Sequence, residues 1–189
     1  MAKVSAPLGS FEASGKIGQH SVFFTWKGYN IVRKWTKPSN PRTAYQGNIR
    51  TFTGGTGRAT KAVSIPSAFY NDAKSVTPTG MTWVSHIVKV LAELFNADVQ
   101  SLESEFLTVP TEARNAFDQR AEELGLVTFS APGTSASYSR ALQLYALYRY
   151  GRQMRRPDTG AFNRNPYTVA PANLTEDNVD ELVSDITSE

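Results

Sequence analysis

Residues 20–35 read HSVFFTWKGYNIVRKW, and this stretch decides the N-terminal architecture. Two runs rich in β-branched and aromatic residues flank Lys27-Gly28, and the glycine supplies the positive φ that a tight turn needs. A two-residue loop sets Trp26 opposite Tyr29, Phe24 opposite Ile31 and Val22 opposite Arg33. Val22, Phe24, Trp26, Tyr29 and Ile31 then share one face. Ser21, Phe23, Thr25, Asn30, Val32 and Lys34 share the other. A slip of one residue scatters the apolar set, so the stretch predicts a β-hairpin. Two strands alone are marginally stable, so the apolar face must be covered by this chain or another.

Residues 1–19, upstream of the hairpin, read as an N-terminal arm. Downstream, Asn40-Pro41 is a helix-start signal: asparagine can accept from an orphan N–H, and proline at the first helical position loses nothing by lacking its own. A helix from about Pro41 to Thr53 places Tyr45, Ile49 and Phe52 on one stripe, and Gly54-Gly55-Thr56-Gly57 is expected to stop it. Residues 20–53 thus form a basic hairpin plus a short helix. Residues 54–78, punctuated by Pro66 and Pro78, read as loop.

Residues 79–153 read as a helical core. Thr79–Asn96 carries Trp83, Val84, Ile87, Val88, Val90, Leu91, Leu94 and Phe95, too many for one narrow stripe, which predicts a helix buried on most sides. A shorter helix is expected over Asp98–Leu107. Another starts near Pro110, packs through Ala113, Ala116, Phe117, Ala121 and Leu124, and stops at Gly125. The last strong helix spans about Ser135–Gln153. Residues 154–189 read as an extended arm ending in an acidic amphipathic tail, with Leu174, Val179, Leu182, Val183 and Ile186 at helical spacing. Such a peptide suits docking on a partner. The fold class is therefore α+β, mainly α: an N-terminal hairpin, a helical bundle, and extended arms at both ends.

Charge is unevenly spread. Residues 1–62 hold 10 Lys/Arg against the single acid Glu12, residues 63–150 hold 6 against 9, and residues 151–189 hold 4 against 7. A net charge of +3 hides a basic head and an acidic tail, which speaks of partners rather than chemistry. The chain has no cysteine, so disulfides, Fe–S clusters and thiolate metal sites are excluded. The N-terminus lacks an apolar run long enough for a signal peptide. Met81–Phe95, interrupted by Ser85, His86, Lys89 and Glu93, is too short to span a bilayer. The chain reads as soluble, with no membrane partner.

No enzyme motif stands out. His20 and His86 lack metal-ligand spacing and read as structural. Gly54–Lys61 lacks the Gly-Lys-Ser/Thr ending of a phosphate-binding loop, and no Gly-x-Ser-x-Gly elbow occurs. The acids Glu103, Glu105, Glu122 and Glu123 read as solvated helix faces. The expectation is a non-enzymatic chain with no catalytic residue, metal or cofactor. Basic residues interleaved with aromatics are suited to surfaces, so the partner-binding candidates are Trp26, Tyr29, Arg33, Lys34, Trp35, Lys37, Arg42, Arg50 and Arg58. Phosphate neutralisation plus stacking would make them a nucleic-acid interface. The cations equally suit acidic surfaces of neighbouring subunits, including the chain's own acidic tail in trans.

One resemblance bears on the choice. Gly15-Lys16-Ile17-Gly18, then Phe24-x-Trp26-Lys27-Gly28-x-Asn30-x-Val32-Arg33, then Lys37-Pro38-x-Asn40-Pro41-Arg42-Thr43-x-x-Gln46 resembles a pattern in small structural proteins of tailed bacteriophages. The resemblance implies a virion component, capsid-associated or at the head–tail junction. It would bind capsid, portal or tail subunits, work as a homo-oligomer within the assembly, and pass through the host cytoplasm before reaching the virion. The alternative is a DNA-binding architectural protein using the same basic third.

Overall fold

The computed structural model describes residues 15–17, 21–26, 29–34, 36, 43–96, 99–130 and 137–187. The chain divides into two compact units, Met1–Arg42 and Thr43–Glu189.

The first unit holds a three-stranded antiparallel sheet of order β1-β2-β3, with β1 Gly15–Ile17, β2 Ser21–Trp26 and β3 Tyr29–Lys34. Strands β2 and β3 pair Trp26 with Tyr29, Phe24 with Ile31 and Val22 with Arg33, the register expected from the two-residue turn. The reading of residues 1–19 as an arm is corrected at β1, which pairs Gly15 with Phe23 and Ile17 with Ser21. Three residues are too few to show alternation, so only pairing reveals the strand. This third strand supplies support that a hairpin alone lacks.

The second unit starts at Thr43, whose Oγ1 accepts from Gln46 N at 3.3 Å and caps α1, Ala44–Lys61. The helix therefore starts at Thr43 rather than Asn40-Pro41, and it runs straight through Gly54-Gly55-Thr56-Gly57. Glycine costs roughly 1 kcal/mol each in a helix interior. Tertiary packing offsets this, because Phe52, Thr56, Ala59, Thr60 and Val63 are buried along one side. The buried threonines stay satisfied by bonding back to their own helix: Thr56 Oγ1 donates to Thr53 O at 3.0 Å and Thr60 Oγ1 to Thr56 O at 2.9 Å.

The expected 54–78 loop is further corrected by α2, Ala68–Val76. Ser67 caps it through Tyr70 N at 3.0 Å, and Phe69, Ala73 and Val76 bury a stripe of only three residues. So short a stripe between two prolines carries little periodic signal. Next come α3, Trp83–Asn96, and α4, Val99–Thr108. Helix α5, Thr111–Glu123, ends as expected at Gly125, with φ +70°. There Gly125 N donates to Glu122 O and Leu126 N to Ala121 O, both at 2.9 Å. A two-stranded ribbon pairs β4, Phe129–Ser130, with β5, Ser137–Tyr138. Ser139 then caps α6, Arg140–Gln153.

Helix α6 is the centre of the unit. Residues Ala141 to Tyr148 are all buried, as are Tyr150 and Gly151, and α1, α3, α4 and α5 all pack on it. A Cβ on Gly151 would collide with Cδ1 and Cε1 of Tyr167 and lie 3.0 Å from Phe162 Cδ1.

The C-terminal segment is not an extended arm. It folds back through turns and the 3-10 turn Pro171–Asn173 into α7, Glu176–Thr187. Helix α7 lies on α5 and α2 with Val179, Leu182 and Ile186 fully buried. The aperiodic stretch before it is anchored by Phe162 and Tyr167, both fully buried, with ring centroids 5.0 Å apart and edge to face. Phe162 takes a left-handed backbone at φ +54°, a conformation its burial against Phe69 and Tyr150 offsets. Ion pairs Arg120–Asp180 at 2.7 Å and Arg164–Asp185 at 2.9 Å, with Arg164 also bound to Asp72, fasten the segment in cis.

Two alanine substitutions therefore act in opposite directions. Gly54 has no atom within 4 Å of a Cβ, so Gly54→Ala gains helix propensity and stabilises by about 0.5–1 kcal/mol. Gly151→Ala overpacks the core and destabilises by about 1–3 kcal/mol. Urea denaturation of both variants checks the pair, and equal effects would contradict the placement of α1 and α6.

Candidate interaction surfaces

The expected binding residues are only partly gathered. Trp26 and Tyr29 are backbone partners at one end of the β2–β3 pair. Arg33 and Lys34 are exposed on β3 beside Val32, which is 57% exposed. The Arg33 guanidinium sits 5.3 Å from the Phe24 ring centroid, a diagonal cross-strand cation–π contact that leans the cation over the sheet's apolar face. Val22, Phe24 and Ile31 on that face are half-buried. Trp35, Lys37 and Arg42 lie outside the described residues, as does His20. Arg50 lies on α1, in the expected helix, and Arg58, expected in the 54–78 connector, belongs to the same helix; both are exposed.

His86 is a core residue. It is buried in α3, and its Nδ1 lies 3.0 Å from the Tyr150 hydroxyl of α6. Burial lowers its pKa from the ordinary 6.5, reinforced by Lys89 and Arg156 and opposed by Glu93. Among the described residues no group of three or more His, Asp or Glu is arranged to hold a metal ion, and no helix is long and apolar enough to cross a membrane.

A surface absent from the sequence reading lies on the second unit. The C-terminal end of α1 and the start of α3 border an apolar groove of about 370 Å³. Val63 and Val88 line it, with Trp83 held edge-on against Tyr70 at 5.2 Å between ring centroids. Ile65 and Val84 stand 64% and 41% exposed at its edges, and Gly57 and Lys61 line the α1 side. The expectation that α3 is buried on most sides is corrected here. Ile87, Leu91, Leu94 and Phe95 enter the core, while the surplus apolar residues Trp83, Val84 and Val88 line the groove. That surplus was the available signal.

Comparison with known proteins gives no match: no family model, curated protein or solved structure aligns with the chain.

The His86 environment makes stability depend on pH. The folded state disfavours the imidazolium, so the unfolded chain binds the extra proton first as pH falls through about 6.5. The His86 contribution is fully present above that value and is lost progressively below it. The urea midpoint should fall between pH 7.5 and pH 5.5, and His86→Gln should flatten that slope. An unchanged slope in the variant would assign the dependence to other groups.

Proposed function

We propose that this chain is a non-enzymatic structural component of a tailed-phage virion, binding neighbouring capsid, portal or tail subunits in a symmetric array. The reading is supported by the residue pattern over 15–46 and by the surface chemistry of the first unit. The observation that carries it is the outer strand β3. It pairs only with β2 among the described residues and presents Val32, Arg33 and Lys34 to solvent. An open strand edge offers backbone donors and acceptors to an incoming strand. The basic side chains then select an acidic partner and disfavour pairing between two copies of the same edge. The unit is compact in itself, so it can serve as a contact module in its own right.

Deletion of residues 1–36 tests the reading. The helical unit should remain folded by circular dichroism and should fail to enter particles during assembly. Normal incorporation of the truncated chain would overturn it. Light scattering of the full chain with linear DNA at two salt concentrations separates the other use of the same cations. A DNA complex that dissolves as salt rises would favour the architectural-protein reading.

A further inference from the structure

We infer that the groove between α1 and α3 is a docking site for an acidic amphipathic helix of a partner protein. The groove lies wholly within the helical unit, so the inference stands apart from the virion reading and from the β3 edge.

Three features define the occupant. The first is shape and polarity. Val84 and Val88 lie one turn apart on α3, and Gly57 and Lys61 lie one turn apart on α1. Helix-in-groove recognition uses apolar anchors at this same spacing, and the groove has room for a pair of large apolar side chains. The lining hydroxyl of Thr60 is already spent on Thr56 O at 2.9 Å, so it offers no free donor. Apart from Thr60 and Lys61 the lining is apolar side chains and Gly57, so an apolar inserted face fits it.

The second feature is charge. Helix α1 carries Arg50, Arg58 and Lys61 and no acid, and α3 adds Lys89 against the single acid Glu93. Arg58, Lys61 and Lys89 are exposed. Glutamate and aspartate flanking the apolar anchors complement this rim, whereas lysine and arginine are repelled. The same charge opposes a second copy of the groove, because a two-fold contact would bring like charges together. The third feature is approach. A Cβ at Gly57 would meet nothing within 4 Å, so the partner's backbone can come close on the α1 side.

The test uses the full chain and a fluorescein-labelled helical peptide of about 16 residues, with Leu at i, i+3, i+4 and i+7 and Glu on the polar face. Its counterpart carries Lys in place of Glu. Fluorescence anisotropy should show the acidic peptide bound at least about 10-fold more tightly than the basic one, with affinity falling as salt rises. Val84→Glu and Ile65→Ser alter exposed positions, so thermal melts should be unchanged while binding weakens at least about 10-fold. Lys61→Glu should weaken binding several-fold and reduce its salt dependence. Binding that survives Val84→Glu, equal binding of the basic peptide, or no binding up to about 1 mM would overturn the inference. So would a concentration-dependent dimer that Val84→Glu abolishes, which would make the groove a contact between copies. Peptide binding to the groove and particle entry of the 1–36 deletion are separate readouts, so the two readings fail separately.

Discussion

The helical unit depends on burying α6 from every side. A helix with Tyr145, Tyr148 and Tyr150 fully buried brings three hydroxyls into the core, and each needs polar company. Tyr148 donates to Val169 O at 2.7 Å, and Tyr150 meets His86 Nδ1 at 3.0 Å. Tyr145 lies against Glu105, itself paired with Arg149 at 3.0 Å, and burial raises its pKa. Two of the hydroxyls thereby specify a neighbour, Val169 from the C-terminal segment and His86 from α3, while the Tyr145 hydroxyl is buried near Glu105 without a hydrogen-bond partner. Polar groups in a core cost free energy when mispaired, so they favour one arrangement over other apolar packings.

The C-terminal segment follows from this constraint. At Gly151 the helix has no side chain, and Tyr167 and Phe162 fill the space. Arg152, one residue on, donates to the same Val169 carbonyl that receives Tyr148. The segment is consequently a wall of the core, and α7 closes it over α5 and α2. Its acidic residues are partly consumed in doing so, since Asp180 pairs with Arg120 and Asp185 with Arg164. Those two pairs are only partly buried, and their value is in fixing position more than in raw stability. The apolar face and part of the charge expected to meet a partner are thus engaged within the chain.

What could be read from the sequence follows the strength of its periodic and capping signals. The β2–β3 register, the order of α3 to α6 and the stop at Gly125 were legible because alternation, apolar spacing and a C-terminal glycine each have one dominant physical meaning. The second half of α1 was hidden because its glycines argue locally for a break, and only Phe52, Ala59 and Val63 finding a core reverses that. Helix α2 was hidden by its length. The docked C-terminal segment was hidden because Phe162 and Tyr167 bury large surfaces without any repeat. Of the interaction surfaces, the basic strand was visible as composition. The groove was visible only as an excess of apolar residues on α3, which burial explains as readily as exposure.

That excess, once placed, sits beside the cations that α1 and α3 contribute, Arg58, Lys61 and Lys89. Helix α1 carries three cations and no acid, and part of the acidic tail is occupied in cis. An imbalance of this kind favours anionic partners over cationic ones. A nucleic-acid backbone would satisfy the charge, but it has no apolar side chains to fill a groove bordered by Trp83, Val84 and Ile65. An acidic protein surface supplies both the carboxylates and the hydrophobic anchors. Exposed apolar side chains gain roughly 25 cal/mol for each Å² they cover, whereas a screened surface charge gains little by itself. In our reading, apolar contact supplies the affinity and the cations choose the partner.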